Sequence, residues 1–256
     1  AFLKAVTEAY GDDSLTLVET SDMIDKIRAT KYEEELALLI RAIEITDRAL
    51  DEIGPAIVPG MTEAQVAWDL EKSMREQGAE AMAFDIIVGA GPNGALPHHR
   101  ADDTVIRDGQ PIVIDMGAAY EGYCADLTRT IFVGEPDDIF KKVYSTVLRA
   151  QLAAQEQVRS GMTGEETDAI SRDVIVEAGY GDAFGHSLGH GVGLAVHEYP
   201  RVGPRASDVL VDGMVFTIEP GIYLPDWGGV RIEDVVVMES GRARVLSNAA
   251  KMDVDL

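Results

Sequence analysis

The sequence predicts an α/β (α+β) fold built of two related halves with mostly antiparallel strands, and three observations predict it. PGMTEAQVAWDLEKSMREQGAEAMAF from Pro59 is matched in plan by SGMTGEETDAISRDVIVEAGYGDAF from Ser160, an offset of 101 residues. DGQPIVIDMGA from Asp108 is echoed by DGMVFTIEPGI from Asp212, an offset of 104. Two copies are too few for a solenoid, so the pattern is a duplicated half. At 256 residues and 46% hydrophobic, the chain is also long enough to bury a large core.

Each repeat opens on Gly-Met-Thr. Thr62 and Thr163 can cap a helix, and Gln65 and Glu166 three positions later can close a capping box. The helices then run with apolar periodicity to Gly78 and Gly179, and each leads toward a strand expected to carry histidine. A hairpin ends each half. If Tyr120 and Glu121 form the first loop, Asp115 and Asp126 face each other with Cβ atoms roughly 4.5–5.5 Å apart. In the second, the turn LPDWGG centred on Asp226 sets Glu219 opposite Glu233.

Like charges directly opposed on a sheet destabilise it, and on apolar strands they need protons or cations to neutralise them. Two such pairs ask for a metal. Carboxylates mixed with imidazole suit Mn, Co, Fe or Zn better than Mg or Ca, and His190 is the natural nitrogen ligand. Histidine is the usual neutral ligand and proton shuttle near pH 7. All 5 histidines fall in two short stretches, His98 and His99 in ALPHHR, and His186, His190 and His197 in HSLGHGVGLAVHEYP.

The 45 acidic residues exceed the 22 basic ones, giving a net charge of -23 that repels phosphate backbones and argues against nucleic acid. The excess is spread along the chain, and arginine outnumbers lysine 15 to 7, a hint of a salt-loving or GC-rich source. No apolar run approaches the ~20 residues of a membrane span, and the start lacks a signal-peptide core. Cys124 is the only cysteine, which excludes an intrachain disulfide and fits a reducing compartment. A cytoplasmic protein is the expectation.

Five motifs in order, namely DKIRATKYEEELALLIRA, GPNGALPHH, VIDMGAAYEGYCADLTRT, HSLGHGVGLAVHE and TIEPGIYLPDWGGVRIED, resemble those of the creatinase, prolidase and aminopeptidase P group of dinuclear metallopeptidases (peptidase family M24). Prolidase, the Xaa-Pro dipeptidase, is the nearest member. The resemblance implies a pita-bread fold of two pseudo-symmetric halves with a curved sheet. It also implies two divalent metal ions, Mn first, with Co or Zn accepted by the same ligands. Asp115, Asp126, His190, Glu219 and Glu233 become the ligands, Asp126 and Glu233 bridging, and a bridging water becomes the nucleophile.

Glu219 then doubles as proton acceptor, His98 contacts substrate near the leaving side, and His197 stabilises the tetrahedral intermediate. His186 and Arg231 support ligands from behind, and Tyr223 lines the substrate pocket. Arg201 sits where it can clamp a free carboxylate bidentately. His99 is left as structural. The substrates implied are short proline-containing peptides, with an Xaa-Pro aminopeptidase acting on longer peptides as the alternative. A homodimer is implied as well. Residues 1–29 read as the remnant and linker of an N-terminal domain, LTLVETSDMIDKIR looking like its last strand and linker, and residues 30–256 as the catalytic domain.

Two other classes compete. FDIIVGAGPNGA holds a G-x-G-x-x-G at Gly89, Gly91 and Gly94 after an apolar strand, as a dinucleotide-binding loop would. The helix that should follow is missing, because a proline stands in ALPHHRADD and no helical period appears. Metal-free binding modules and a creatinase-like hydrolase share the fold but lose ligand carboxylates, whereas all five ligand positions are filled here.

Overall fold

The computed structural model describes residues 2–10 and 23–254. It opens with α1 (Phe2–Tyr10), α2 (Met23–Ala29) and α3 (Glu33–Ile53). The predicted strand in LTLVETS lies outside the described residues, and MIDKIRA is helix α2. The entering segment DKIRATKYEEELALLIRA forms two helices, broken at residues 30–32. There Thr30 bridges to Met214 and Lys31 donates its N–H to the Gly213 carbonyl at 2.9 Å. That backbone pairing removes the residues from the helical ladder, and α3 restarts where Glu35 accepts the Tyr32 N–H at 3.0 Å.

The first half continues with α4 (Glu63–Glu76), β1 (Ala81–Met82), β2 (Ile87–Ala90), β3 (Gln110–Met116), β4 (Ala118–Tyr120), β5 (Tyr123–Cys124) and β6 (Leu127–Val133). The second holds α5 (Asp138–Gln157), α6 (Gly164–Glu177), β7 (Gly189–Gly191), β8 (Glu198–Val202), β9 (Val215–Ile218), β10 (Gly221–Leu224), β11 (Gly228–Arg231), β12 (Asp234–Glu239) and β13 (Arg242–Val245). Both expected capping boxes form, Thr62 with Gln65 on α4 and Thr163 with Glu166 on α6.

The duplication is visible in the sheets. Strand order β2-β3-β6 in the first half recurs as β7-β9-β12 within the five-stranded sheet of the second, and every named pairing is antiparallel. The hairpin β4-β5 corresponds to β10-β11. Helices α3 and α4 cover β2, β3 and β6 through Ile45, Leu70, Val88 and Ile114, while Phe140 and Tyr144 of α5 and Ile175 of α6 meet Phe216 and Val236. Truncating one such buried side chain to alanine typically costs about 2–5 kcal/mol.

The second hairpin has the register read from its turn. Gly221 pairs with Arg231 and Ile218 with Asp234, so Glu219 stands across from Glu233 between them. The first hairpin does not. Asp115 pairs with Thr128 and Tyr120 with Tyr123, so the loop is Glu121-Gly122 rather than Tyr120-Glu121. Both residues have positive φ, 47° and 83°, the two-residue turn whose twist matches the strands and whose second position favours glycine. The shift of two in register keeps Asp115 and Asp126 on one face but makes them diagonal neighbours rather than a facing pair.

Candidate metal centre

Three of the four carboxylates sit where strands are interrupted. Asp126 falls between β5 and β6, Glu219 between β9 and β10, and Glu233 between β11 and β12, while Asp115 lies within β3. His190 is on β7 at a register shift against β8. Such irregularities turn side chains out of a regular pleat and are common beside active sites. The halves are joined at the same place, where the Glu233 N–H donates to the Thr128 carbonyl at 3.0 Å. His98 and His99 lie in a loop after a short 3-10 turn, not on a strand, because β2 ends at Ala90.

Asp126, His190 and Glu233 each present a ligand atom within 4.8 Å of the others. His190 Nε2 lies 3.3 Å from Glu219 Oε1 and 3.5 Å from Asp126 Oδ2. Its Nδ1 lies 3.1 Å from the Gly191 carbonyl, an arrangement that places a proton on Nδ1 and turns Nε2 toward the carboxylates. Asp115 accepts from Arg231 Nη2 at 2.7 Å through Oδ2, while its Oδ1 is buried without a partner.

Burial pushes the carboxyl groups of Asp126 and Glu233 well above the ordinary carboxylate range, and neighbouring carboxylates push further in the same direction. Asp115 is raised chiefly by burial, against the pull of Arg231. Burial also opposes the charge on Glu219, but the hydrogen bond and charge of His190 outweigh it and hold this carboxyl low. For His190 burial disfavours the cation, and Glu219 more than restores it. Four carboxylates thus meet one guanidinium and one titrating imidazole. The orphaned Asp115 oxygen and the raised carboxyl groups of Asp126 and Glu233, with an imidazole nitrogen facing them, fit divalent metal.

Residues the sequence reading passed over hold these groups in place. Thr128 Oγ1 donates to Glu233 Oε2 at 2.7 Å and accepts from Arg231 Nε at 3.0 Å. Thr217 Oγ1 donates to Glu219 Oε1 at 3.2 Å and accepts the His190 N–H at 3.1 Å. Arg129, only 2% exposed, pairs with Asp234 at 2.7 Å and donates to the Glu233 carbonyl. Each threonine stands two positions from a carboxylate, in DLT and TIE, a spacing that on a strand signals a shared face.

The centre lies in a cavity of about 490 Å³ that His98, His99, His197 and Arg201 also line. The His197 ring is 4.2 Å from that of His190, edge-on. His186 and Arg231 reach the lining too, and both bond the Tyr223 hydroxyl, at 2.9 Å and 2.7 Å. Tyr223 itself is not among the lining residues. Its hydroxyl instead meets the cavity through these two lining partners. The glycine-rich stretch Gly91–Ala95 is a 3-10 turn, and the first α-helix after β2 begins only at Asp138, so no helix N-terminus faces a phosphate there. Among the described residues no helix is long and apolar enough to cross a membrane.

Fold and site together define a metal-dependent enzyme with an acidic, buried metal centre. The profile of metallopeptidase family M24 matches residues 37–240, and the chain belongs to that family. It is 46% identical over 230 residues to the Xaa-Pro dipeptidase of Pyrococcus furiosus, covering 90% of this chain and 66% of that one. Among solved structures, the Xaa-Pro dipeptidase from Bacillus anthracis superposes with a TM-score of 0.94 at 44% identity, covering 99% of this chain and 71% of that one. The X-Pro aminopeptidase from Thermotoga maritima superposes with a TM-score of 0.93 at 44% identity, covering 98% and 70%. The chain thus spans about two thirds of the length of the curated relatives it matches.

Proposed function

We propose that the chain is the catalytic part of an Xaa-Pro dipeptidase, with residues 30–256 as the catalytic domain and two divalent metal ions, manganese first. The observation that carries this reading is the cluster of Asp115, Asp126, His190, Glu219 and Glu233 at one cavity that Arg201 also lines. Similarity to two Xaa-Pro dipeptidases supports the substrate class. Bound divalent metals supply Lewis-acid polarisation of the scissile carbonyl and acidify a water nucleophile.

The chain's own groups supply the rest. Glu219, held low by His190, takes up the proton that the nucleophile gives up. His197 donates toward the developing oxyanion, and burial with the nearby His190 holds its cation down, so a neutral N–H performs this task. His98 holds the substrate on the leaving side. Arg201 binds the free carboxylate of a dipeptide. Arg231 keeps Asp115 oriented, and Tyr223 and His186 complete the support behind it.

The runner-up, an Xaa-Pro aminopeptidase, is favoured by the Thermotoga neighbour. One assay separates the two: cleavage of an Xaa-Pro dipeptide against a longer Xaa-Pro-Yaa peptide, run on protein stripped of metal and reloaded with Mn, Co or Zn. Preferred cleavage of the longer peptide replaces the dipeptidase reading. No turnover with any of the three metals removes both. A cytoplasmic location belongs to the same proposal, on the strength of the single buried Cys124. A homodimer does too, and the mass in solution tests it.

A further inference from the structure

Glu63 is the first residue of α4 and is completely buried, yet it carries a carboxylate. Its Oε1 accepts the Ala90 N–H at 2.8 Å and Asn93 Nδ2 at 3.0 Å. Its Oε2 receives His99 Nε2 at 2.7 Å and the Asp102 N–H at 3.4 Å. Glu63, His99 and Asp102 gather closely enough to suggest a metal. The two Glu63 oxygens are already engaged by four donors, however, and a buried carboxylate so served needs no cation. The four donors share another property: they span residues 90–102, the loop that brings His98 to the cavity.

The second half does the same job from a different position. At the repeat offset Glu63 corresponds to Gly164, where a Cβ would stand 2.1 Å from the Arg201 carbonyl oxygen, so no side chain fits. The carboxylate is found one helical turn later. Asp168, 2% exposed, accepts the Leu188 N–H at 2.9 Å and pairs with Arg172 at 2.6 Å. Arg172 in turn donates to the carbonyls of Phe184 at 3.0 Å and His186 at 2.8 Å. In each half, therefore, a buried acid on the first two turns of the repeat helix ties down the loop that delivers a histidine.

We propose that Glu63 is a positioning residue that fixes His98 for the reaction by acting as a four-donor anchor for the 90–102 loop, with His99 as its side-chain partner. The kinetic part of this proposal rests on the peptidase reading above; the loop-holding part does not. Glu63→Gln replaces one acceptor oxygen by an N–H₂ that confronts His99 and Asp102, leaving donors unpaired. Arg100, 85% exposed at its side chain, offers a cleavage point inside the loop.

The test uses the metal-loaded full chain. Trypsin cleavage after Arg100, followed by mass spectrometry, should accelerate about tenfold in Glu63→Gln, and kcat/KM on an Xaa-Pro dipeptide should fall about tenfold, the scale of one unsatisfied buried donor. Metal content should stay at the wild-type value. Combined with His98→Ala, Glu63→Gln should add no further loss, since both act through the same side chain. Where Glu63→Gln does not fold, His99→Leu takes its place with the same expectations, and His99→Gln, which keeps an N–H for Glu63, should recover them. An unchanged cleavage rate after Arg100, or a loss that adds in full to His98→Ala, overturns the proposal. A wild-type protein without Xaa-Pro turnover removes the peptidase reading instead, and the trypsin rate then decides whether Glu63 holds the loop.

Discussion

Arg231 donates from Nη2 to Oδ2 of Asp115 at 2.7 Å, and the other oxygen of that carboxylate is buried without a partner. One oxygen is fixed so that the other is left available. Replacing Arg231 by alanine also frees Thr128 Oγ1 and the Tyr223 hydroxyl, which the same guanidinium serves. Manganese affinity by titration calorimetry should drop about 10–100-fold, as for other groups that orient ligands. Unchanged affinity would mean that Asp115 is either self-positioned or not a ligand.

Asp126 has its carboxyl raised by burial and by Glu233, the state of an acid waiting for a cation. If Asp126 bridges two ions as proposed, Asp126→Ala should abolish metal binding and turnover together. Elemental analysis that still finds two metals per chain would contradict the assignment.

Thr128 offers a finer cut, since valine matches its shape without the hydroxyl. The loss strands Arg231 Nε and Glu233 Oε2. Thr128→Val should lower stability by about 1–3 kcal/mol in denaturant unfolding and weaken metal binding, while Thr128→Ser should retain both.

Arg201 lines the cavity on an exposed position of β8, and among the described residues no carboxylate pairs with its guanidinium. Arg201→Ala should raise KM for an Xaa-Pro dipeptide about tenfold or more and leave kcat nearly unchanged. Equal kinetics on dipeptide and tripeptide in wild type and variant would take the carboxylate clamp away from this residue.

Asp47 on α3 supplies a pH dependence away from the metal centre. It is 5% exposed, accepts the Asn248 N–H at 2.8 Å, and burial pushes its carboxyl up from 3.8 to about 6. A raised acid binds its proton more tightly when folded, so the contribution of Asp47 to stability is greatest at low pH and declines as pH rises from about 4 to about 6. Asp47→Asn should remove that decline. The stability difference between wild type and variant should change by up to about 3 kcal/mol across the window, read by urea unfolding at pH 4 and pH 7. A pH-independent difference would show that Asp47 does not titrate within the fold.

The sequence by itself determined the duplication, both capping boxes, the facing of Glu219 and Glu233, and the five residues that gather at the cavity. The caps and the second hairpin are local: a cap needs residues three apart, and a hairpin needs only its turn. Tertiary structure decided the rest. The Glu121-Gly122 turn set the first register two residues from the expected one, since the positive φ of both residues favours that loop. Pairing of Thr30 with Met214 and of Lys31 with Gly213 split the entering helix, a contact no local pattern announces. Tyr223 gained His186 and Arg231 as hydroxyl partners. Thr128 and Arg129 acquire their roles only because the two halves meet at Thr128 and Glu233, residues 105 apart in the chain. The residues gathered at the cavity stand in short motifs, but what orients them is assembled across the chain, where hydrogen-bond partners are chosen by packing rather than by sequence neighbours.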